Sequence, residues 1–127
     1  MTALASFDGG AAIGIMRHIV VAETEKEALA VARPAYDLWY ANLTKLQREN
    51  VNGPKIAGFV PPDLNSAIKA GSFLVGTPAH IRDEVAEHTD ILGTNYMICG
   101  FYFGNIKHGD AMRSLELFAE EIAPKFG

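Results

Sequence analysis

Apolar residues in this chain follow two spacings: steps of three and four that mark helical faces, and short unbroken runs that mark covered strands. The run Ile15 to Ala22 (IMRHIVVA) gathers β-branched residues at Ile19, Val20 and Val21 and predicts a first strand. Thr24-Glu25-Lys26-Glu27 follows at once, a T-x-x-E capping pattern that starts a helix. Leu29, Ala32, Tyr36, Trp39, Leu43 and Leu46 then fall on one helical face. Pro34 lies inside that helix and is expected to kink or restart it near Arg33. Asn52-Gly53-Pro54 breaks the pattern.

Residues 50–75 read as a long connection, with Pro61-Pro62-Asp63 opening a short helix through Ala70. Connections of this length in a compact domain tend to be lids or insertions. Gly76-Thr77-Pro78 then supplies Thr as N-cap and Pro at the first helical position. That helix is expected to bury Ile81, Val85 and Leu92 and to end at Gly93. Next comes Tyr96 to Phe103 (YMICGFYF), apolar on both parities, which is the pattern of an interior strand covered on both faces. A last helix starts near His108, carries Ala111, Leu115, Phe118 and Ile122 on one face, and is expected to end at Pro124.

The order is strand, helix, inserted segment, helix, strand, helix. Short helix-to-strand links and doubly apolar strands predict a helix-rich α/β chain with about two parallel strands and flanking helices. Residues 1–14 are small and Gly-rich without a period and read as a flexible N-terminal arm. Residues 15–127 read as one unit carrying the insertion at about 50–75.

Composition narrows the function classes. The chain has 127 residues, 49% hydrophobic and 20% charged, enough for one compact domain. A net charge of −4 and the lack of a basic run argue against nucleic acid or an anionic membrane as partner. No apolar stretch approaches the ~20 residues of a membrane helix, and the N-terminus carries no positive leader segment. A single cysteine forms no internal disulfide, which fits the cytoplasm.

Several residues invite a chemical reading. Cys99 has no cationic sequence neighbour to stabilise a thiolate and reads as a structural thiol. His80, Glu84 and His88 recur every four residues, but the outer two stand about 12 Å apart along a helix axis, so no three-ligand metal site is expected. They read as a solvated polar stripe. Gly9-Gly10 and Gly14 precede a strand, whereas a phosphate loop follows one. Thr77 reads as a plain cap. Arg17 and His18 stand on the first strand, where they could touch an anion or simply pack. Phe101, Tyr102 and Phe103 could line a flat ligand's pocket or belong to an ordinary core.

The stretches RHIVVAETEKEALAVARPAY and FLVGTPAHIRDEVAEHTDILGTNYMICGFYFGNIKHGDAMRSLELFAEEIAPKF together resemble the C-terminal part of luciferase-like flavin-dependent monooxygenases. The likeness rests on a strand ending V-A-E-T before an E-A-rich helix, a G-T-P helix start, an aromatic strand, and the closing RSLELFAEE. It covers about residues 15–126.

The resemblance implies a partial (β/α)8 TIM-barrel segment, comprising the last two strands, their helices and the insertion between. A complete barrel takes ~250 residues, and its catalytic groups come from several strand ends. Arg17 and His18 would then stand on the seventh strand and Phe101, Tyr102 and Phe103 at the mouth of the eighth, as cofactor or substrate-pocket residues. The pattern leaves open which parity faces inward. The cofactor implied is FMN as reduced flavin, and the reaction is oxygen insertion into a small organic substrate. The isolated chain is expected to be inactive because most of the barrel is absent. The alternative is a non-catalytic, self-associating module that binds flavin or another small ligand. The chain's own helices are expected to cover only one side of the strands. A homodimer or higher oligomer, with residues 96–103 at its interface, or a remainder of the barrel on another chain, would cover the other.

Overall fold

In the computed structural model, which describes residues 12–50, 52 and 60–126, β1 (Gly14–Val21) runs down the middle of a parallel sheet. β2 (Phe73–Gly76) lies on one side of it and β3 (Tyr96–Gly100) on the other, giving the order β2-β1-β3. The two flanking strands are staggered. β2 pairs with the later half of β1, from His18↔Phe73 to Val21↔Gly76, and β3 with the earlier half, from Gly14↔Tyr96 to His18↔Gly100. All three strands share one row, Phe73–His18–Gly100.

Three helices begin at side-chain caps. Thr24 Oγ1 accepts the Glu27 N–H at 3.1 Å and starts α1 (Glu25–Leu43). A five-residue α2 (Lys45–Glu49) follows. Asp63 accepts the Ser66 N–H at 2.8 Å to start α3 (Leu64–Ala70), which ends at left-handed Gly71. Thr77 accepts the His80 N–H at 3.4 Å to start α4 (Pro78–Leu92), with Gly93 closing it. α5 (His108–Leu117) continues into a π-helical turn, Phe118–Ile122, and a 3-10 turn, Ala123–Lys125. Among the described residues no helix is long and apolar enough to cross a membrane.

Helices cover both faces of the sheet. Val20, Phe73 and Val75 pack on Ala28, Ala32, Ala35 and Tyr36 of α1 and on Leu64 and Ala67 of α3. Ile19, Val21 and Leu74 pack the other way, on Ile81 and Val85 of α4 and on Leu117 and Ile122 at the C-terminal end. This corrects the expectation that the chain's own helices would cover one side only. The cause is strand order. The chain steps from β1 to β2 and then returns across β1 to β3, and right-handed crossovers in opposite directions put their helices on opposite faces.

The structure departs from the sequence reading in several local respects. β2 was hidden in the connection, because four consecutive buried residues show no alternation. α1 runs through Pro34 unbroken: Pro34 and Ala30, whose carbonyl loses its donor, both face solvent. Leu43 ends α1, Leu46 lies in the separate α2 and Leu92 ends α4, and all three are exposed. The arm read at 1–14 lies outside the described residues up to residue 11; Ile13 is tied down by Asn95, whose Oδ1 accepts its N–H at 2.8 Å, and Gly14 opens β1. The insertion's middle, 51 and 53–59, is likewise outside.

The last helix buries Ser114, Leu117 and Ile122 rather than Leu115, which is 42% exposed. Ser114 Oγ also accepts the Val21 N–H at 2.7 Å, fixing α5 on the end of β1. The wider π turn, bonded i→i+5, brings Leu117 and Ile122, five residues apart, toward one face, and Pro124 sits within the continuing 3-10 turn rather than ending the helix. Leu117→Ala should therefore cost ~2–5 kcal/mol, the range for a buried leucine. Leu115→Ala should stay within ~0.5 kcal/mol of the parent. Urea unfolding of both variants checks the assignment, and equal losses would contradict it.

Candidate functional site

The shared row of the sheet places His18 between a large ring and an absent side chain. Phe73 stacks on the imidazole at 4.7 Å, and Gly100 on the other side leaves room for it. A Cβ at Gly100 would meet His18 Nδ1 at 3.0 Å and Met16 Cε at 2.8 Å, closer than real side chains approach. Two further rings close the cluster, Phe103 at 5.1 Å and Trp39 at 5.5 Å, both edge-on to the imidazole. Tyr36 packs behind them on Phe73 and Trp39, and its hydroxyl donates to the Pro61 carbonyl.

Within this cage His18 Nδ1 is buried and has no hydrogen-bond partner. Burial pushes the imidazole's pKa below its ordinary 6.5, so the ring is neutral at neutral pH. The unfolded chain takes up this proton at higher pH than the folded one does. Stability from this group is therefore whole above about pH 6.5 and is lost as pH falls through the folded value. Melting temperatures followed from pH 7.5 to 5 should fall more steeply for the parent than for His18→Phe. Identical slopes would contradict a buried neutral His18.

Beside the cage the sheet is open. Met16, Tyr96 and Ile98 stand on the same face as His18, at 44%, 50% and 55% exposure, beyond the reach of α1. They form an apolar shelf whose wall is His18, Trp39 and Phe103.

The residues singled out from sequence divide between the two faces. His18 and Phe103 come together in the cage. Arg17, next along the strand, points the opposite way, where its Nε donates to His88 Nδ1 at 3.4 Å. Phe101 packs on Phe118 at 5.4 Å on that same far side, and Tyr102 is 66% exposed. Phe101 and Phe103 diverge because the strand ends at Gly100 and its alternation ends with it. Phe73 and the shelf residue Met16 escaped sequence reading as site residues. Tyr36 and Trp39 were visible on the helical seam, but only as core.

The polar stripe on α4 is less solvated than expected. His80 Nε2 lies 3.2 Å from Glu84 Oε1, while Glu84 Oε2 is buried without a partner. Burial pushes the Glu84 carboxyl up, opposed by His80 and His88. Among the described residues no group of three or more His, Cys, Asp or Glu could hold a metal ion. Cys99 is half-buried, and burial pushes its thiol up.

No family model matches the chain. It is 24% identical over 115 residues to the uncharacterized protein y4wF of Sinorhizobium fredii (strain NBRC 101917 / NGR234), covering 91% of this chain and 33% of that protein. Among solved structures it resembles the monooxygenase RslO1 from Streptomyces bottropensis, at 22% identity and a TM-score of 0.62, over 91% of this chain and 31% of that one. Apo-MsnO8 gives 17% identity and a TM-score of 0.61, over 90% and 35% of the two chains. The third is the oxygenating constituent of 3,6-diketocamphane monooxygenase from the CAM plasmid of Pseudomonas putida, a type II Baeyer-Villiger enzyme in complex with FMN. It gives 22% identity and a TM-score of 0.63, over 90% and 33%. The chain thus spans about a third of the length of the proteins it matches. The likeness is one of fold: a mixed α/β unit matching part of TIM-barrel monooxygenases. A closed barrel keeps its strands in chain order, whereas here β3 flanks β1.

Proposed function

We propose that this chain is a segment of, or a short protein related to, a flavin-dependent luciferase-like monooxygenase, and that the His18 shelf is one wall of its flavin and substrate pocket. The observation that carries the reading is the neutral, unpartnered His18 nitrogen held in an aromatic cage beside an open apolar shelf. Ligand pockets combine such apolar walls with a few fixed polar atoms. The likeness to an FMN-containing monooxygenase supports flavin as the ligand.

The residues fit part of that cofactor. A flat ring can lie on Met16, Tyr96 and Ile98, and once the Met16 methyl beside it moves aside, the buried Nδ1 of His18 offers the ring's polar edge one hydrogen-bonding position, as donor or acceptor according to tautomer. Flexible Met16 adjusts to the ring's outline. Among the described residues the shelf shows no cation for the phosphate: Arg17 faces the other side of the sheet and engages His88. The chain therefore holds the apolar end of the ligand, and the phosphate is held elsewhere. Reduced flavin, when bound, supplies the electrons for oxygen activation. Trp39, Phe73 and Phe103 keep water from that side of the pocket.

A shelf with no phosphate anchor among the described residues, in a chain spanning about a third of its relatives' length, predicts no turnover by the isolated chain. With NADH, a flavin reductase, FMN and a panel of aldehydes, ketones and sulfonates, product should stay at the free-flavin background. Sustained product above it would overturn the inactivity. Flavin binding without turnover agrees equally with a non-catalytic ligand-binding module, a reading favoured by His18, Met16, Tyr96 and Ile98 all standing on two paired strands of this chain.

A further inference from the structure

β3 has strand β1 on one side and, among the described residues, no strand on the other. Its five residues, Tyr-Met-Ile-Cys-Gly, include no lysine, acid or proline, the usual guards of an open edge. β2, the opposite edge, is only four residues long and wholly buried.

Both faces of the β3 edge are also unfinished. On one lies the shelf of Met16, Tyr96 and Ile98. On the other a cleft of about 380 Å³ is lined by Met97, Cys99, Phe118 and Phe126. Its lining comes from α4, residues 94–99 and the C-terminal turns, with no residue of β1, so it lies over β3.

We infer that β3 pairs edge to edge with β3 of a second copy of this chain, antiparallel about a two-fold axis through Ile98, and that each copy extends the other's His18 shelf. A two-fold perpendicular to the sheet keeps like faces together, and centring it on Ile98 is the register that pairs all five residues. Ile98 then faces the partner's Ile98, and Tyr96 faces the partner's Gly100. Met97 faces the partner's Cys99, at the mouth of the partner's cleft, where a flexible thioether can fill irregular space. Tyr96 stands in one row with the partner's His18 across the bare Gly100, about 10 Å or two strand spacings away. Its ring lies over Gly14 of its own chain, so it is Ile98, beside the partner's Ile98, that extends the partner's shelf.

The exposed apolar surface of Met16, Tyr96 and Ile98 amounts to a few hundred Å². Edge pairing buries the strand edge and the flank of that surface and leaves its face free for the ligand, so the interface is smaller than the ~800 Å² per partner of a standard one and the dimer forms at micromolar concentrations. The interface is narrower than residues 96–103, because Phe103 is 4% exposed within its own chain.

Light scattering with size exclusion at tens of micromolar, without flavin, tests the pairing independently of the flavin reading. The parent should run at twice the 13.7 kDa of one chain. Ile98→Lys, at a position exposed within the protomer, should halve that mass while keeping its far-ultraviolet circular dichroism. As a second arm, Ile98→Cys in a Cys99→Ser background should form a disulfide-linked dimer on mild oxidation. Facing residues there have Cα atoms about 4.5–5.5 Å apart, within disulfide range. Leu46→Cys in the same background should not. If Ile98→Lys fails to fold, the disulfide arm decides. A monomeric parent, or a dimer with neither lysine sensitivity nor the Ile98→Cys disulfide, would overturn the inference.

Discussion

Gly104→Ala should destabilise the protein by about 2–5 kcal/mol, the sum of a left-handed backbone penalty and overpacking. Gly104 adopts a φ of 58°, and a Cβ there would come within 2.8 Å of the Ala35 carbonyl carbon and closer still to its oxygen. The obstacle is the α1 backbone itself, which cannot turn aside as a flexible side chain would. The loop after β3 must lie this close for Phe103 and Ile106 to reach the core under α1. Gly93→Ala is the internal control. Its φ is 64°, but nothing stands within 4 Å of the added carbon, so it should lose only ~1–2 kcal/mol. Global stability of a small domain is of the order of 5–15 kcal/mol, so the first variant should lose a large share of it. Equal urea midpoints for the two would contradict the close contact between loop and helix.

Phe73→Ala should cost about 3–5 kcal/mol, the range for truncating a buried aromatic residue. Phe73 is 2% exposed and touches the rings of His18, Tyr36, Trp39 and Phe103, so its loss opens the centre of the cage. The effect should reach the imidazole. Water entering the space relieves the burial that holds His18 down, and its pKa should rise toward the ordinary value. Proton NMR titration of the imidazole in both proteins follows this directly. A variant that loses stability but leaves His18 unmoved would show that the depression arises elsewhere.

These two residues mark the limits of what the sequence discloses. Thr24, Thr77 and Gly93 act within a few residues, and they located α1 and α4 from local chemistry alone. Ile19 to Val21 and Tyr96 to Gly100 likewise announced β1 and β3. β2 did not, because four apolar residues between α3 and α4 carry no period. Strand order was also out of reach, since it depends on pairings between residues about 55 to 80 positions apart. The site was half legible for a related reason. Arg17 and His18 are neighbours in sequence, yet alternation sends them to opposite faces. With both faces apolar, nothing in the pattern told which one carries the shelf.

Flavin at the His18 shelf, as proposed, is directly measurable. Trp39 is the chain's single tryptophan, and its ring lies 5.5 Å from His18 at the wall of that shelf. Its fluorescence, titrated with FMN and separately with riboflavin, reports occupancy at the place in question. The proposed pocket should give saturable quenching by both, with similar affinities because no described residue at the shelf offers the phosphate a cation, and weaker binding by His18→Ala. Emission that falls only in proportion to added flavin, alike in parent and variant, would contradict it.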